Sequence, residues 1–250
     1  MNTNLYNYIL GIADNSLILG QRMGELCGHG PNLETDIACT NISLDLFGQV
    51  RGYFQYAAKI ANDGRTEDDI AMLRKERDYL NVLLAEQPNT DFAYTIGRQF
   101  LFDVYHLLFL TELEKSKDLT LSAIAKKSIK EVRYHQRFSS DWVKRLGDGT
   151  EESHSKMQQA INDLWTYTDE LFHQTEADKA MVEEGIGVDV TKLKKDYYEK
   201  VSTILEQATL EIPESKYFQK GGKEGIHTEH LGFLLSELQY MQRAYPNMDW

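Results

Sequence analysis

Cysteine is scarce in this chain: among 250 residues it has Cys27 and Cys39 and no others. Two thiols cannot build a disulfide framework, and they fit a reducing compartment better than secretion. Proline is nearly as rare, with four residues at 31, 88, 213 and 246. That leaves long stretches free of the residue that breaks helices. Positive charge is in short supply, since 27 Lys and Arg face 39 Asp and Glu, a formal net charge of −12. A field of that sign repels phosphate backbones and anionic headgroups, and argues against nucleic-acid partners and membrane docking. No apolar run approaches the roughly 18 residues that span a bilayer. The most apolar stretch, Phe100 to Leu110, is interrupted by Asp103 and His106. Met1 to Leu19 holds no Lys or Arg and is broken by Asn4, Asn7, Asp14 and Asn15, unlike a secretory signal. These absences predict a soluble cytoplasmic protein of one domain, residues 1–250.

Period-2 alternation is also missing, and helical periodicity dominates. It predicts a first helix from about Leu5 to Cys27, ended by Gly28-His29-Gly30-Pro31. A second runs from Glu34 to Asn62, a third from Glu67 to Leu84, a fourth from Phe92 to Lys115 and a fifth from Leu121 to Leu146. A sixth covers Glu152 to Phe172, a seventh Val190 to Leu210, and a last one Glu229 to Ala244 behind a Thr228 cap. Gly185-Ile186-Gly187 reads as a loop. The fold class is all-α: a ferritin-like four-helix bundle with additional helices.

The informative residues are acids placed inside these helices. In an antiparallel hairpin, residues equidistant from the turn lie level. Asp14 and Asp45 have their midpoint in the Gly28–Pro31 turn, and Asp103 and Glu131 have theirs in the Ser116–Asp118 turn. Each acid is then about 14–16 residues from its turn, roughly 21–24 Å at 1.5 Å per residue. Four carboxylates at one height in a four-helix bundle suggest a di-metal site. Burying them otherwise costs several kcal/mol each unless they are paired, protonated or metal-bound.

Ferritin-like di-iron sites take one acid from each of two helices and a Glu-x-x-His from each of the other two. Three residues after Asp45 stands Gly48, and three after Glu131 stands Tyr134. Neither supplies an imidazole nitrogen, so affinity for iron should fall. Asp14, Asp45, Asp103 and Glu131 therefore read as a vestigial buried carboxylate cluster. Gln21, Gln49, Gln99, Tyr134 and nearby Arg are its candidate hydrogen-bond partners. An alternative keeps a metal: His106 follows Asp103 by three and His135 follows Glu131 by four, so Asp103, His106, Glu131 and His135 could form an improvised site.

Other motifs carry blander readings. Gly221-Gly222-Lys223-Glu224-Gly225 lacks the spacing of a phosphate loop and reads as a flexible connector. His227-Thr228-Glu229-His230 is not a zinc motif and reads as a helix cap with surface histidines, or a partner contact. Cys27 and Cys39 read as packing residues. No arrangement for nucleophilic catalysis can be argued from spacing.

Five stretches together carry a resemblance. They are Gly20-Gln-Arg-Met-Gly-Glu-Leu-Cys-Gly-His-Gly-Pro31, Asn41-Ile-Ser-Leu-Asp-Leu-Phe-Gly-Gln-Val-Arg51, Lys130-Glu-Val-Arg-Tyr-His-Gln-Arg-Phe138, Lys156-Met-Gln-Gln-Ala-Ile161 and Gly221-Gly-Lys-Glu-Gly-Ile-His-Thr-Glu-His-Leu-Gly232. With them the whole chain resembles the non-catalytic C-type subunits of bacterial phenylacetyl-CoA epoxidases. The resemblance implies a ferritin-like subunit with no cofactor of its own. It implies a related catalytic partner subunit that holds the di-iron centre, binds the CoA thioester and epoxidises the aromatic ring with dioxygen. It further implies a small accessory subunit and a flavin and iron–sulfur reductase using NADPH.

Overall fold

The computed structural model describes residues 2–215, 217–246 and 248; Met1, Lys216, Asn247, Asp249 and Trp250, which the expected 1–250 domain includes, lie outside it. Four long helices form the core: α1 (Thr3–Gly24), α2 (Leu33–Ala61), α5 (Phe92–Leu113) and α6 (Leu119–Gly147). Between the two hairpins lie the short helices α3 (Glu67–Met72) and α4 (Leu83–Glu86). After them come α7 (Glu151–Trp165), α8 (Glu176–Glu183), α9 (Lys194–Gln207), α10 (Glu229–Leu238) and α11 (Tyr240–Ala244). No strand occurs among the described residues. The architecture is a core helix bundle with extra helices.

Side-chain caps fix where the long helices begin. Asn2, Asn32, Asp91 and Asp118 each accept a backbone N–H of the first turn. α1 pairs with α2 and α5 with α6, and α2 lies against α6. The extra helices cover the bundle unevenly. α8 packs on α1, while α7 and α9 pack chiefly on α5 and α6. Accordingly α1 and α5 are buried on nearly every side, whereas α2 and α6 each keep one face toward solvent.

Several expected boundaries shift. The helix expected over Glu67 to Leu84 stops at Met72, and residues 73–82 run largely as irregular backbone across α1. The reason is competition for its amides: Asp14 Oδ2 accepts from Leu80 N at 2.9 Å and Asn15 Oδ1 from Val82 N at 2.8 Å. The helix expected to reach Phe172 ends at Trp165, with a separate 3₁₀ turn at Asp169–Phe172. The one expected from Val190 begins with a 3₁₀ turn, Val190–Leu193. The last one breaks at Gln239. α8 has no counterpart among the expected helices; Thr175 and Asp178 build a reciprocal capping box for it.

The glycine loop is not a flexible connector. The Glu170 carboxyl group accepts from Gly221 N at 2.7 Å, Gly222 N at 2.8 Å and Leu83 N at 2.7 Å, so the amides cradle the protein's own side chain. A Cβ at Gly222 would stand 2.2 Å from the Asn81 carbonyl oxygen. Gly222→Ala is therefore expected to destabilise by about 1–3 kcal/mol, as overpacking against backbone does. At roughly 2–4 °C per kcal/mol, thermal unfolding should register it. An unchanged melting temperature would mean that the loop moves freely.

Candidate functional site

The hairpin registers decide which acids meet. Ser43 Oγ donates to the Gly20 carbonyl at 2.7 Å, and a Cβ at Gly20 would touch Phe47 and Leu46. Extended down the hairpin, that register sets Asp14 level with Gln49 to Tyr53 rather than with Asp45. In the second hairpin Ser139 Oγ and Asp103 Oδ2 share a hydrogen bond of 2.8 Å. Ser139 and Glu131 are eight residues, about two turns, apart on α6, and it is Ser139 that Asp103 meets. The four acids occupy three separate settings.

Asp14 is fully buried on α1 and faces Arg74, itself buried, in a two-pronged ion pair whose second bond, Nη1 to Oδ2, is 2.9 Å. Burial works against the charge on Arg74, but Asp14 beside it holds its pKa above the ordinary value. The guanidinium also lies 4.1 Å from the centre of the Tyr79 ring. With Leu80 N as a further donor, this acid pins the irregular 73–82 segment to the bundle.

Asp103 is fully buried on α5 and meets only neutral groups: Gln99 Nε2 at 2.7 Å and Ser139 Oγ at 2.8 Å. Burial raises its pKa to about 8, against smaller opposing effects of Ser139 and Gln99. At neutral pH this carboxyl is mostly protonated. The structure gives an O–H there a relay, since Ser139 Oγ can donate onward to the His135 carbonyl at 3.0 Å.

Asp45 and Glu131 lie on the α2–α6 seam, where contacts repeat in antiparallel order. Asp45 Oδ2 is 3.0 Å from His135 Nε2, Gln49 Nε2 donates to Glu131 Oε2 at 3.2 Å, and Tyr56 donates to Asp118 at 2.5 Å. Burial raises the pKa of Glu131, with Asp45 adding to it and Gln49 opposing. Burial lowers that of His135, against the pull of Asp45. A neutral His135 donating from Nε2 leaves Nδ1 as a buried acceptor without a partner. His106, three residues after Asp103, is pushed down to about 3 by burial and then by His135. Its Nδ1 is likewise unpartnered, and its ring packs on Phe102 at 5.3 Å.

The positions expected to hold the missing imidazoles do not face the bundle centre. A Cβ on Gly48 would meet nothing within 4 Å, and Tyr134 is exposed. The inward residues after the two acids are Gln49 and His135, one position later. Of the expected partners, Gln49 and Gln99 bond acids as anticipated; Tyr134 instead lies under Arg137, and no bond from Gln21 to an acid is present among the described residues. The decisive partner, Arg74, lies outside both hairpins, in the segment between them.

A di-iron centre needs carboxylates and imidazoles converging with free lone pairs. Here Asp14 is spent on Arg74, and Asp103 is held by neutral donors. Asp103, His106, Glu131 and His135 make no common cluster. Among the described residues no group of three or more His, Cys, Asp and Glu side chains is arranged to hold a metal ion. The residues present do not fit a di-iron centre.

Two other expectations are corrected. The His227 side chain is buried, not on the surface: Nδ1 lies 2.9 Å from Glu86 Oε2 and Nε2 2.9 Å from the Tyr79 carbonyl. Burial opposes charge on the ring, but Glu86 outweighs it and raises the pKa. Thr228 is the N-cap residue of α10 as expected, but its N–H and hydroxyl donate to Glu86 Oε1 and its side chain accepts no amide of the first turn. Cys39 is buried as a packing residue, but Cys27 is exposed. The described helices include none long and apolar enough to cross a membrane.

These features define a ferritin-like, all-helical bundle whose acidic centre is taken up by structural contacts. Two comparisons specify it further. The family model described as "Phenylacetic acid catabolic protein" matches residues 1–250, and the chain belongs to that family. It is 50% identical over 243 residues to the C-type subunit of the 1,2-phenylacetyl-CoA epoxidase of Escherichia coli (strain K12), covering 97% of this chain and 98% of that protein.

Proposed function

We propose that this chain is the non-catalytic structural subunit of a multicomponent di-iron monooxygenase that epoxidises the aromatic ring of phenylacetyl-CoA in phenylacetate degradation. It scaffolds a related catalytic helical subunit, and the di-iron centre belongs to that partner. A small accessory subunit and an NADPH-dependent reductase complete the assembly, and the complex works in the cytoplasm. The observation that carries this reading is how the four acids are held in a chain of this family: Asp14 by Arg74, Asp103 by Gln99 and Ser139, Glu131 by Gln49 and Asp45 by His135, with no convergence of the four. Asp14, Asp45, Asp103 and Glu131 are then vestiges of a metal-binding ancestor, kept as structural polar groups. The work left to such a chain is burial of surface against its partner, on the order of 2,000 Å² or more for an obligate interface.

Elemental analysis tests this. The isolated chain, loaded with ferrous iron and desalted, should retain far less than one iron per chain and consume no oxygen. The complex with its catalytic partner should hold iron and turn over. Stoichiometric iron with oxygen-dependent turnover by this chain alone would falsify the proposal.

A further inference from the structure

The outward faces of α2 and α6 are the part of the bundle that the extra helices cover least. On α2 the stripe Leu33, Ile37 and Leu44 is 70%, 51% and 61% exposed, an unusual concentration of large aliphatic side chains in water. Gly48 extends the stripe by one turn. On α6 the outward residues are strongly basic. The helix carries seven Lys and Arg (126, 127, 130, 133, 137, 144, 145) against Glu131 and Asp141, on a chain whose net charge is −12.

The two faces adjoin. A crevice of about 300 Å³ has Glu34, Thr35 and Ala38 of α2 on one side and Arg137, Phe138 and Trp142 of α6 on the other. Tyr134 and Arg137 also line a second depression of about 540 Å³ that includes Lys130 and Arg133 and is bordered by Ile204 of α9. Arg137 lies over the Tyr134 ring at 5.9 Å and Arg145 over Trp142 at 5.4 Å, so these cations are presented on aromatic supports. The acids of the patch do not cancel them: Asp141 is paired with Lys144, and Asp45 and Glu131 are engaged in the seam by His135 and Gln49, leaving Glu34 against Lys130, Arg133, Arg137 and Arg145.

We propose that the outward faces of α2 and α6 form a docking surface for a different protein chain, one presenting an acidic face around an apolar centre. This rests on the multisubunit reading given above and says where and how the partner is met. Charge selects the occupant. A two-fold pairing of this chain through the same face would set basic stripe against basic stripe. A head-to-tail contact would build a ring or an open string of copies of this chain alone, which self-association would reveal. A phosphorylated small molecule would use the cations but gain nothing from Leu33, Ile37 and Leu44. An acidic protein face uses both, with attraction governing encounter and apolar burial supplying affinity.

The test co-expresses the tagged full chain with the other subunits of its complex and measures co-elution, binding affinity and salt dependence. Arg133→Glu/Arg137→Glu changes exposed residues and should leave the melting temperature and circular dichroism unchanged. The expected result is at least a tenfold weaker association with one partner subunit, a steep loss of wild-type affinity with salt, and no effect of the control Lys192→Glu/Lys195→Glu. Ile37→Ser/Leu44→Ser, which keeps the charges, should weaken the same association. Wild-type association with both double variants unaffected would overturn the docking surface while leaving the subunit reading intact. Wild type that binds no subunit would overturn the subunit reading, and this inference with it. Self-association lost in the variants, or loss of CoA thioester binding with subunit association intact, would overturn the choice of partner.

Discussion

Arg74→Met is expected to unfold this protein more readily than any other single change in the acidic centre. The methionine keeps apolar volume but leaves Asp14, at 0% exposure, with Leu80 N as its remaining donor. Removing one partner of a buried pair typically costs about 3–5 kcal/mol, because the other charge is left uncompensated. For a chain of this size that lowers the melting temperature by roughly 6–20 °C. The substitution also removes the bonds from Arg74 Nε to the Ile70 carbonyl and from Nη1 to the Asp78 carbonyl, which shape the 73–82 segment. The double variant Asp14→Asn/Arg74→Met should recover a large part of the loss, since an amide oxygen still accepts from Leu80 N and no charge remains buried. Recovery separates an ion pair from simple packing. If Arg74→Met melts within about 2 °C of wild type, Asp14 is not held by that guanidinium. If the isolated wild-type chain binds iron and Asp14→Asn abolishes it, Asp14 is a ligand and the vestigial reading fails.

The long helices were legible because their signals are local. Asn32, Asp91 and Asp118 stand directly before the helices they cap, and the seven-residue spacing of Leu121, Ser128 and His135 marks the buried stripe of α6. The height of the acids was not legible. Counting from the turns assumes that both arms of a hairpin leave the turn level, whereas α2 projects past the end of α1 and leaves Leu33 and Ile37 in solvent. That slip moved Asp14 away from Asp45; in the second hairpin Asp103 meets Ser139 while Glu131 turns to Gln49 of α2. The partners that matter were out of reach for a different reason. Arg74 is 60 residues from Asp14, Glu86 is 141 from His227, and Glu170 is 51 from Gly221. No periodicity links such pairs. One cue was present: an arginine in a short, polar, poorly periodic segment between two acid-bearing hairpins.

Asp103→Asn should make the protein more stable, by an amount that grows with pH. In the folded chain burial lifts the Asp103 pKa to about 8, while an unfolded chain titrates it near the ordinary value of about 3.9. Between those values the folded state holds a proton that the unfolded state has released. Stability therefore falls as pH rises, by up to about 1.4 kcal/mol per pH unit, and the fall ends above the folded pKa. Asparagine reproduces the neutral side chain: its oxygen can accept from Gln99 Nε2, and its amide can donate to Ser139 Oγ in place of the carboxyl proton. His106 and His135, whose pKa values burial depresses, act in the acid range with the opposite sign, weakening the fold as pH drops. Comparing variant with wild type at each pH cancels most of their effect. Chemical denaturation at pH 5, 6, 7 and 8 should give a gap that widens steadily, reaching on the order of 2–4 kcal/mol by pH 7. A gap that stays constant with pH would mean that Asp103 is ionised in the folded protein. An ionised carboxylate there would need a cation beside it, and since Arg74 is engaged with Asp14 on α1, the natural candidate would be a metal ion. The same titration therefore separates a bundle that has neutralised its centre with protons from one that still keeps a place for iron.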